Sequence, residues 1–314
     1  MTEDFEAKLR GFLDKVRISP AGLAWHTSAG IYSYSASQMP PQSVISPVEA
    51  RLATLLYWRF YCYLPREAQA DQRPGGEPLA YASFLPESYA PETGWTVEAV
   101  DEPFRRVAKG DRCRKVVLDE ISPASGQPGE TVSLRRRAYS ETQQPGFFYY
   151  FGKNLAGDFD REHVVRIYLN TDADHAVGNC AAIIEWMNRF QVPFLLKSLK
   201  QATAFQRTDP AVLYLPRRYF TVAWHGLQAL KLCLRTDTPQ FTRRLAPGIA
   251  CADDPRDGIS FGQHRCLIVA RGFLEHALDP DHDPLARVKR CFERAGIDWN
   301  RPWLNPGNAD WDIL

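Results

Sequence analysis

The sequence predicts an α+β protein with a mostly antiparallel or mixed sheet, flanked by helices and preceded by an N-terminal helical segment. In the second half, aromatic and β-branched runs typical of strands come mostly in pairs, and segments with helical spacing separate the pairs. Strict alternation of single strands and helices, which is typical of a parallel sheet, is absent from this pattern. Near the start, apolar residues recur at helical spacing opposite a charged face.

The first half begins with two helical segments. Residues 5–16 form an amphipathic pattern, and a polar loop is expected from there to Pro47. Ser46 and Pro47 resemble an N-cap and a first helical residue, which predicts a helix from there through Leu64. That helix is apolar nearly all round, so we expect it to be buried. Residues 69–94 are rich in Pro, Gly and Glu and predict a loop.

A basic, strand-rich region follows. Strand-like runs at residues 95–108, 115–118 and 131–135 are separated by a turn-rich stretch at residues 122–129. Lys and Arg exceed Asp and Glu between Arg105 and Arg137, although the chain as a whole is nearly neutral. The surplus has two interpretations, a solvated sheet face or a peptide-binding surface.

The second half has a more regular pattern. Strands are predicted at residues 146–152, 163–170, 194–199 and 211–215, and helices at residues 174–189, 220–234 and 262–277. The resulting organisation has three parts. Residues 1–94 form a helical and loop region packed on the core, residues 95–146 the basic β-rich region with possible peptide binding, and residues 147–314 the main core.

Composition excludes several classes of protein. The 314 residues include 38 Lys+Arg and 37 Asp+Glu, so a globally basic nucleic-acid binder is excluded. No apolar run is long enough for a membrane span, and residues 1–14 are charged where a signal peptide would be apolar. We therefore expect a cytoplasmic protein with no nucleic-acid or membrane partner. The seven cysteines include no CxxC pair and are expected to be buried apolar residues.

Familiar nucleotide and metal motifs are missing from the sequence. There is no GxGxxG, GxxxxGK[ST], GxSxG or HExxH. The acidic run DPDHDP at residues 279–284 is bounded by prolines and lacks the glycine turn of a calcium loop, so it predicts a turn. We expect no metal and no cofactor.

Four segments of the second half place cationic side chains on or beside apolar strands and turns. They are Arg166 in VVRIYL, Lys197 in FLLKSL, Arg207 in RTDPAVLYL, and His264-Arg265 in SFGQHRCLIVA. Each has an ordinary structural interpretation, namely a strand-face charge, an edge-strand charge, a partner of Asp209 and a helix-surface charge, respectively. Several cations that meet in one cleft are also the usual way in which a protein holds a phosphoryl group.

The start of the last predicted helix fits the same interpretation. Ser260 is suited to cap the helix, and Gly262 permits a close approach of the backbone. A helix N-terminus directed at the cleft would add backbone N–H donors for an anion.

These segments resemble the HopA-type family, named after a bacterial type III secreted effector. The resemblance lies in FFYYFG, VRIYLN, PFLLKSL, FQRTDPAVLYL and PQFTRRLAPGIACADDPRDGISFGQHRC, and it covers residues 147–277. Its most specific part is the last block, which includes Gly248, Pro255 and the residues SFG at 260–262. One departure concerns the better-known secreted phosphothreonine lyases, which use a Lys-x-His pair that is absent here.

The resemblance implies a lyase that acts on phosphopeptides. Bacterial relatives occur in gene clusters for class V lanthipeptides and thioamitides. There, an aminoglycoside-phosphotransferase-like kinase phosphorylates Ser or Thr of a precursor peptide, and the lyase eliminates phosphate to leave dehydroalanine or dehydrobutyrine. This chain has no kinase motif. The implied partners are therefore the phosphorylated precursor peptide with its leader and a separate kinase.

Elimination assigns a role to each candidate residue. The base must be unprotonated, so a Lys with an ordinary pKa of about 10.4 must have it lowered to about 7–8 by burial and cationic neighbours. Lys197 is the best-placed base, and Lys200 and Lys153 are the alternatives. The candidate acid is His264, with Tyr214 or Tyr168 as substitutes. The phosphate- or substrate-binding set is Arg166, Arg207, Arg265, Lys153, Lys200 and Ser260.

Two other functions remain open at this point. One is a non-catalytic protein that binds a peptide or a partner kinase, with strand candidates at residues 95–100 and 116–118 accepting a peptide strand. The other is a host-directed effector. Convergence of Lys197, Arg166, Arg207 and His264 in one pocket would favour the lyase, and their dispersal would favour the binding protein.

Overall fold

The computed structural model describes residues 3–19, 22–27, 30–35, 47–63, 77–85, 89–154, 163–280 and 283–311. These ranges contain six α-helices and three sheets whose strand pairs are all antiparallel, which confirms the predicted α+β class. Residues 69–76 and 86–88 of the predicted loop, and Asp281 and His282 of the DPDHDP turn, lie outside the described residues. The loop prediction was wrong for residues 89–94, which belong to a strand.

The N-terminal region contains a small sheet that the sequence analysis assigned to a loop. Helix α1 spans Glu3–Leu13 and helix α2 spans Pro47–Leu56. Between them, β1 (Val16–Ser19), β2 (Gly22–Thr27) and β3 (Gly30–Ser35) pair in sequence order. The prediction of a polar loop was wrong here, because GLAWHT and GIYSYS alternate in hydropathy and pair with each other residue by residue.

Helix α2 continues into a single π-helical turn at Tyr57–Tyr61. The predicted helix through Leu64 is therefore confirmed up to this turn, and residue 64 lies outside the described ranges. Phe60 and Tyr61 are buried, in agreement with the apolar character of the run.

The basic region forms a five-stranded sheet with the strand order β6-β5-β4-β8-β7. Its strands are β4 (Tyr89–Asp101), β5 (Phe104–Lys109), β6 (Arg112–Val117), β7 (Ile121–Ser122) and β8 (Thr131–Arg137). The predicted single run at residues 95–108 is a hairpin, because β4 and β5 pair around a tight turn at residues 102–103. Residues 95–100 lie inside the sheet and offer no free edge to a peptide, whereas β6 is an edge strand.

The main sheet has seven strands in the order β14-β15-β11-β13-β12-β10-β9. They are β9 (Tyr139–Ser140), β10 (Phe147–Phe151), β11 (Val164–Leu169), β12 (Leu195–Leu199), β13 (Ala211–Pro216), β14 (Arg243–Ala246) and β15 (Ile249–Asp253). The helices beside it are α3 (Ala173–Arg189), α4 (Phe220–Ala229), α5 (Phe261–Leu278) and α6 (Pro284–Arg294).

The two faces of the main sheet belong to different cores. One face, which includes Ile167, Leu196 and Leu213, packs against α3 and α4. The opposite face, which includes Tyr168 and Val212, shares its core with α1, α2, the π-helical turn, α5 and α6. Because side chains alternate along a strand, this second face also carries the candidate residues Arg166, Lys197 and Tyr214.

The sequence analysis missed β14, β15 and α6. The first of these strands, RRLA, has four residues and begins with two charges, and the second, IACAD, lies within APGIACADDP, whose prolines, glycine and acids resemble a loop. Helix α6 begins where the sequence analysis placed a turn: Asp283 is its N-cap, accepting a hydrogen bond from the Ala286 backbone N–H, and Pro284 follows. Among the described residues, no helix is long and apolar enough to cross a membrane.

Candidate active site

Lys197 lies in the middle of the main sheet. It faces Tyr149 of β10 on one side and Val212 of β13 on the other. Strand β12 is thus an interior strand, and the interpretation of Lys197 as an edge-strand charge is wrong. Its Nζ atom is 3.8 Å from the ring centroid of Phe147 and 5.5 Å from that of Tyr149. The side chain is half-buried, so it keeps access to solvent.

Arg166 lies on the same face, near the end of β13. It pairs across the strands with Tyr214, and its guanidinium lies 5.2 Å from the centroid of that ring. Its Nε donates to Asp254 Oδ2 at 2.8 Å and its Nη2 to the Ile259 carbonyl at 3.3 Å. Arg166 is buried and is anchored at two points, so its position is fixed by the fold.

Arg207 lies in the segment that precedes β13. Lys197 pairs with Val212 and Arg166 with Tyr214, so Lys197 lies between the two arginines along β13. Arg207 pairs with Asp209 through Nε and Nη2, as the structural interpretation of the sequence foresaw. Nη2 also donates to the Tyr57 hydroxyl at 2.6 Å, and the guanidinium lies 4.9 Å from the ring centroid of Trp58. Arg207 is only 7% exposed.

One guanidinium nitrogen of each arginine remains available. Among the described residues, Nη1 of Arg166 and Nη1 of Arg207 donate no hydrogen bond, whereas Nε and Nη2 of both are engaged. A planar guanidinium that is anchored through one edge presents its remaining N–H groups in a fixed direction. The two arginines are therefore suited to hold an anion on this face.

The electrostatics of this face act on Lys197. Burial, followed by the positive charges of Arg207 and Arg166, lowers its pKa to about 8, while Asp209 opposes this shift. An appreciable fraction of Lys197 is thus neutral near pH 7–8, which is the condition for a basic amine. Burial also raises the pKa of Tyr214, so that this phenol keeps its proton and serves as a hydrogen-bond donor.

Tyr57 and Trp58 are site residues that the sequence analysis missed. They belong to the π-helical turn, an element that is often found at functional sites. The end of this turn also contacts the segment before β13, since Thr208 donates its backbone N–H to the Cys62 carbonyl at 3.1 Å. The available signal was the aromatic run YWRFY, which the sequence analysis interpreted only as core.

Arg265 has a structural environment. It is fully buried rather than on the helix surface, and Nε and Nη2 donate to the carbonyls of Pro302 and Leu304 at 2.6 and 3.0 Å. Its Nη1 lies 2.6 Å from His264 Nδ1. Arg265 thus holds the segment that follows α6 against α5.

His264 lines a cavity with Arg256 and Asn305 on the far side of Arg265. Burial and the charge of Arg265 lower the pKa of His264 to about 4, so the ring is neutral near pH 7. A neutral imidazole is a poor proton donor to phosphate, and Tyr214, the substitute acid, is the candidate that lies beside Arg166.

The remaining candidates have separate environments. Ser260 caps α5, with its hydroxyl accepting from the Gln263 backbone N–H, as the sequence indicated. Gly262 permits a close approach, but the group that approaches is the Tyr61 ring rather than a ligand. Lys200 donates to the Glu141 carbonyl at 3.3 Å, and Lys153 is exposed on the loop after β10. Tyr168 is buried on the same face as Lys197.

The fold and the site define an α+β protein that carries a half-buried lysine between two anchored arginines. The chain belongs to the HopA1 effector protein family, whose sequence model matches residues 138–304. This confirms the family resemblance that the sequence indicated.

Two solved structures are similar to the chain. One is the effector protein from Pseudomonas syringae pv. tomato strain DC3000, with 19% identity over 52% of this chain and 66% of that one, and a TM-score of 0.42. The other is the effector protein from Pseudomonas syringae pv. syringae strain 61, with 17% identity over 52% and 66% of the chains and a TM-score of 0.41. The aligned region thus covers just under two thirds of each structure. No curated protein sequence matches the chain.

Proposed function

We propose that the chain is a lyase that eliminates phosphate from phosphoserine or phosphothreonine of a precursor peptide, leaving dehydroalanine or dehydrobutyrine. The observation that supports this is the lowered pKa of Lys197, a half-buried amine between two arginines on one sheet face. A neutral amine takes up a proton, and fixed guanidinium groups bind the phosphate that departs.

The reaction balances with the residues of this face. The Lys197 amine removes the α-proton of the phosphorylated residue, the Cα–H electron pair forms the Cα=Cβ bond, and the Cβ–O bond breaks toward oxygen. The dianionic phosphate ester takes a proton from the Tyr214 hydroxyl as the Cβ–O bond breaks, and it leaves as hydrogenphosphate held by Nη1 of Arg166 and Arg207. Lys197 then returns its proton to solvent, and Tyr214 regains one from solvent. The step uses no oxidant, reductant or cofactor.

The partners of this reaction follow from its chemistry. The substrate must already be phosphorylated, so a separate kinase acts before this chain. The family resemblance points to an aminoglycoside-phosphotransferase-like kinase and to a precursor peptide of the lanthipeptide or thioamitide kind. The basic sheet of β4–β8 is the surface that we assign to the leader of that peptide, because its strand β8 carries exposed Arg135 and Arg137.

Substitution of Lys197 tests the assignment of the base. We expect Lys197→Ala to abolish elimination and to leave phosphopeptide binding largely intact, because proton abstraction occurs only in the transition state. The measurement is single-turnover loss of H₃PO₄ from a phosphopeptide by mass spectrometry, with binding followed in parallel.

The alternative bases provide matched controls. Lys200→Ala and Lys153→Ala should eliminate phosphate at nearly the wild-type rate, since neither side chain lies on the face between the arginines. If Lys197→Ala still eliminates phosphate rapidly, or if either control variant loses elimination, the base is a residue other than Lys197. A wild-type protein that binds phosphopeptides and never eliminates phosphate would favour the non-catalytic binding protein.

A further inference from the structure

A polar cavity lies beside the face that carries Lys197. It has a volume of 270 Å³, and its polar lining consists of Arg256, His264, Arg265 and Asn305. It is connected to the active site by one loop. Arg166 contacts both ends of that loop, through Asp254 and the Ile259 carbonyl, and Arg256 lies between these two contacts.

The cationic groups of this cavity are incompletely neutralised. Arg265 Nη1 is 2.6 Å from His264 Nδ1, so Nδ1 accepts and the ring proton is on Nε2. The carboxylate of Asp257 is 3.6 Å from Nε2, beyond a hydrogen bond, and Asp253, which also acts on Arg265, is already paired with Arg217. Arg256 is exposed, and among the described residues its guanidinium has no ion-pair partner.

The behaviour of His264 agrees with this charge balance. Burial and Arg265 lower its pKa to about 4, and Asp257 only partly opposes them. The charged groups that act on the ring are thus Arg265 from its own helix and Asp257 from the loop, and Arg256 lines the same cavity. An anion in the cavity would meet the Arg256 guanidinium and the imidazole N–H donor, close to the positive charge of Arg265.

We propose that this cavity binds a second anionic group, a carboxylate or phosphate, on the peptide whose phosphorylated residue occupies the Lys197 site. The identity of the peptide rests on the proposed function, whereas the binding of an anion by these residues does not. The cavity would select peptides with an acidic residue close to the residue that undergoes elimination, because the loop between Asp254 and Ile259 separates the two sites.

The binding of an anion is tested on the full chain without any turnover. The pKa of the His264 ring is measured by NMR during titration with acetate and, separately, with inorganic phosphate. A bound anion should raise that pKa saturably by about 1 unit or more, because a nearby negative charge favours imidazolium. A larger effect of acetate assigns the cavity to carboxylates, and a larger effect of phosphate assigns it to phosphorylated residues.

Arg256→Gln and Arg290→Gln form the matched pair of variants. Arg256→Gln should weaken the anion's effect on His264 roughly tenfold, because it removes a charge-assisted contact. Arg290→Gln removes an exposed charge on α6 and should leave the effect unchanged. The proposal is overturned if neither anion shifts the pKa of His264, or if both variants respond alike.

The role in substrate selection has its own readout. A phosphopeptide with a neighbouring Glu should have a lower KM than its Gln counterpart, and Arg256→Gln should remove that difference. If the protein eliminates phosphate but neither anion changes the pKa of His264, the proposed anion site is wrong and the proposed function is unaffected. Anion binding at His264 in a protein without elimination activity would contradict only the proposed function.

Discussion

The environment of Lys197 makes the reaction pH-dependent in a defined direction. Its pKa of about 8 results from burial and from the charges of Arg207 and Arg166. Only the neutral amine is a base, so kcat/KM for elimination should rise as the pH increases through about 8 and then level off. Arg207→Gln should move this inflection to higher pH, because it removes one of the charges that disfavour the protonated amine.

The measurement is kcat/KM between about pH 6.5 and 9.5 for the wild type and for Arg207→Gln. Arg243→Gln is a suitable comparison, since Arg243 is a half-buried arginine on β14, and three strands separate β14 from the strand of Lys197. A profile that is flat across this range, or that falls with increasing pH, would contradict Lys197 as the base.

The roles of single residues were only partly predictable from the sequence. Lys197, Arg166 and Arg207 could be selected because each interrupts an apolar strand or precedes one, and the structure places all three on one face. The role of Arg265 could not be predicted, because the carbonyls that bind it lie 37 and 39 residues further along the chain. The same holds for Tyr57, whose partner Arg207 is 150 residues away.

The π-helical turn is the element that positions Arg207. Tyr57→Phe keeps the ring and removes only the hydroxyl that accepts from Arg207 Nη2 at 2.6 Å. We expect KM for the phosphopeptide to rise about three- to tenfold, with a smaller change in kcat, since the guanidinium loses one of the hydrogen bonds that hold it while its pair with Asp209 remains. Tyr63→Phe is the control, because its hydroxyl accepts from Gln240 just outside the turn. If Tyr57→Phe and Tyr63→Phe change KM equally, the Tyr57 hydroxyl contributes to stability rather than to the position of Arg207.

The contact between the π-helical turn and α5 is equally specific. A Cβ atom at Gly262 would lie 2.4 Å from the Tyr61 ring, whereas Gly178, inside α3, has nothing within 4 Å of that position. Gly262→Ala should lower the free energy of unfolding by about 1–3 kcal/mol. Gly178→Ala should raise it by about 0.5–1 kcal/mol, because alanine is the better helix former. Urea unfolding of both variants measures the difference, and a stable Gly262→Ala protein would contradict the packing described.

At the level of elements, prediction from sequence depended on length and periodicity. The strands around Lys197 were located to within one or two residues, because VVRIYL and FLLKSL are apolar runs with a single charge in each. The pair β2 and β3 was missed because Ser and His occupy alternate positions in them, which made the segment look like a polar loop. Helix α6 was missed because its N-cap and first proline resemble a turn.

For the molecule as a whole, the basic sheet β4–β8 lies outside the segment matched by the family's sequence model. If this sheet binds the leader, the double substitution Arg135→Glu and Arg137→Glu should weaken binding of an acidic leader about tenfold or more, most strongly at low salt. Fluorescence anisotropy at two salt concentrations measures this.

The control for that experiment changes the same number of charges elsewhere. Arg244→Glu combined with Arg290→Glu reverses two exposed arginines outside the five-stranded sheet. Equal leader affinity of the two double variants would show that net charge, and not this sheet, determines binding.

The contacts between distant parts of the chain have a consequence for when the lysine becomes reactive. Arg10 pairs with Asp283 and Glu6 accepts from Trp299, across separations of 273 and 293 residues. Such non-local contacts form late, since they require closure of very long loops. In the unfolded chain Lys197 has an ordinary pKa of about 10.4 and is protonated. On the proposed function, a newly synthesised chain is therefore inert toward phosphopeptides until folding has buried Lys197 and brought Arg207 and Arg166 close to it.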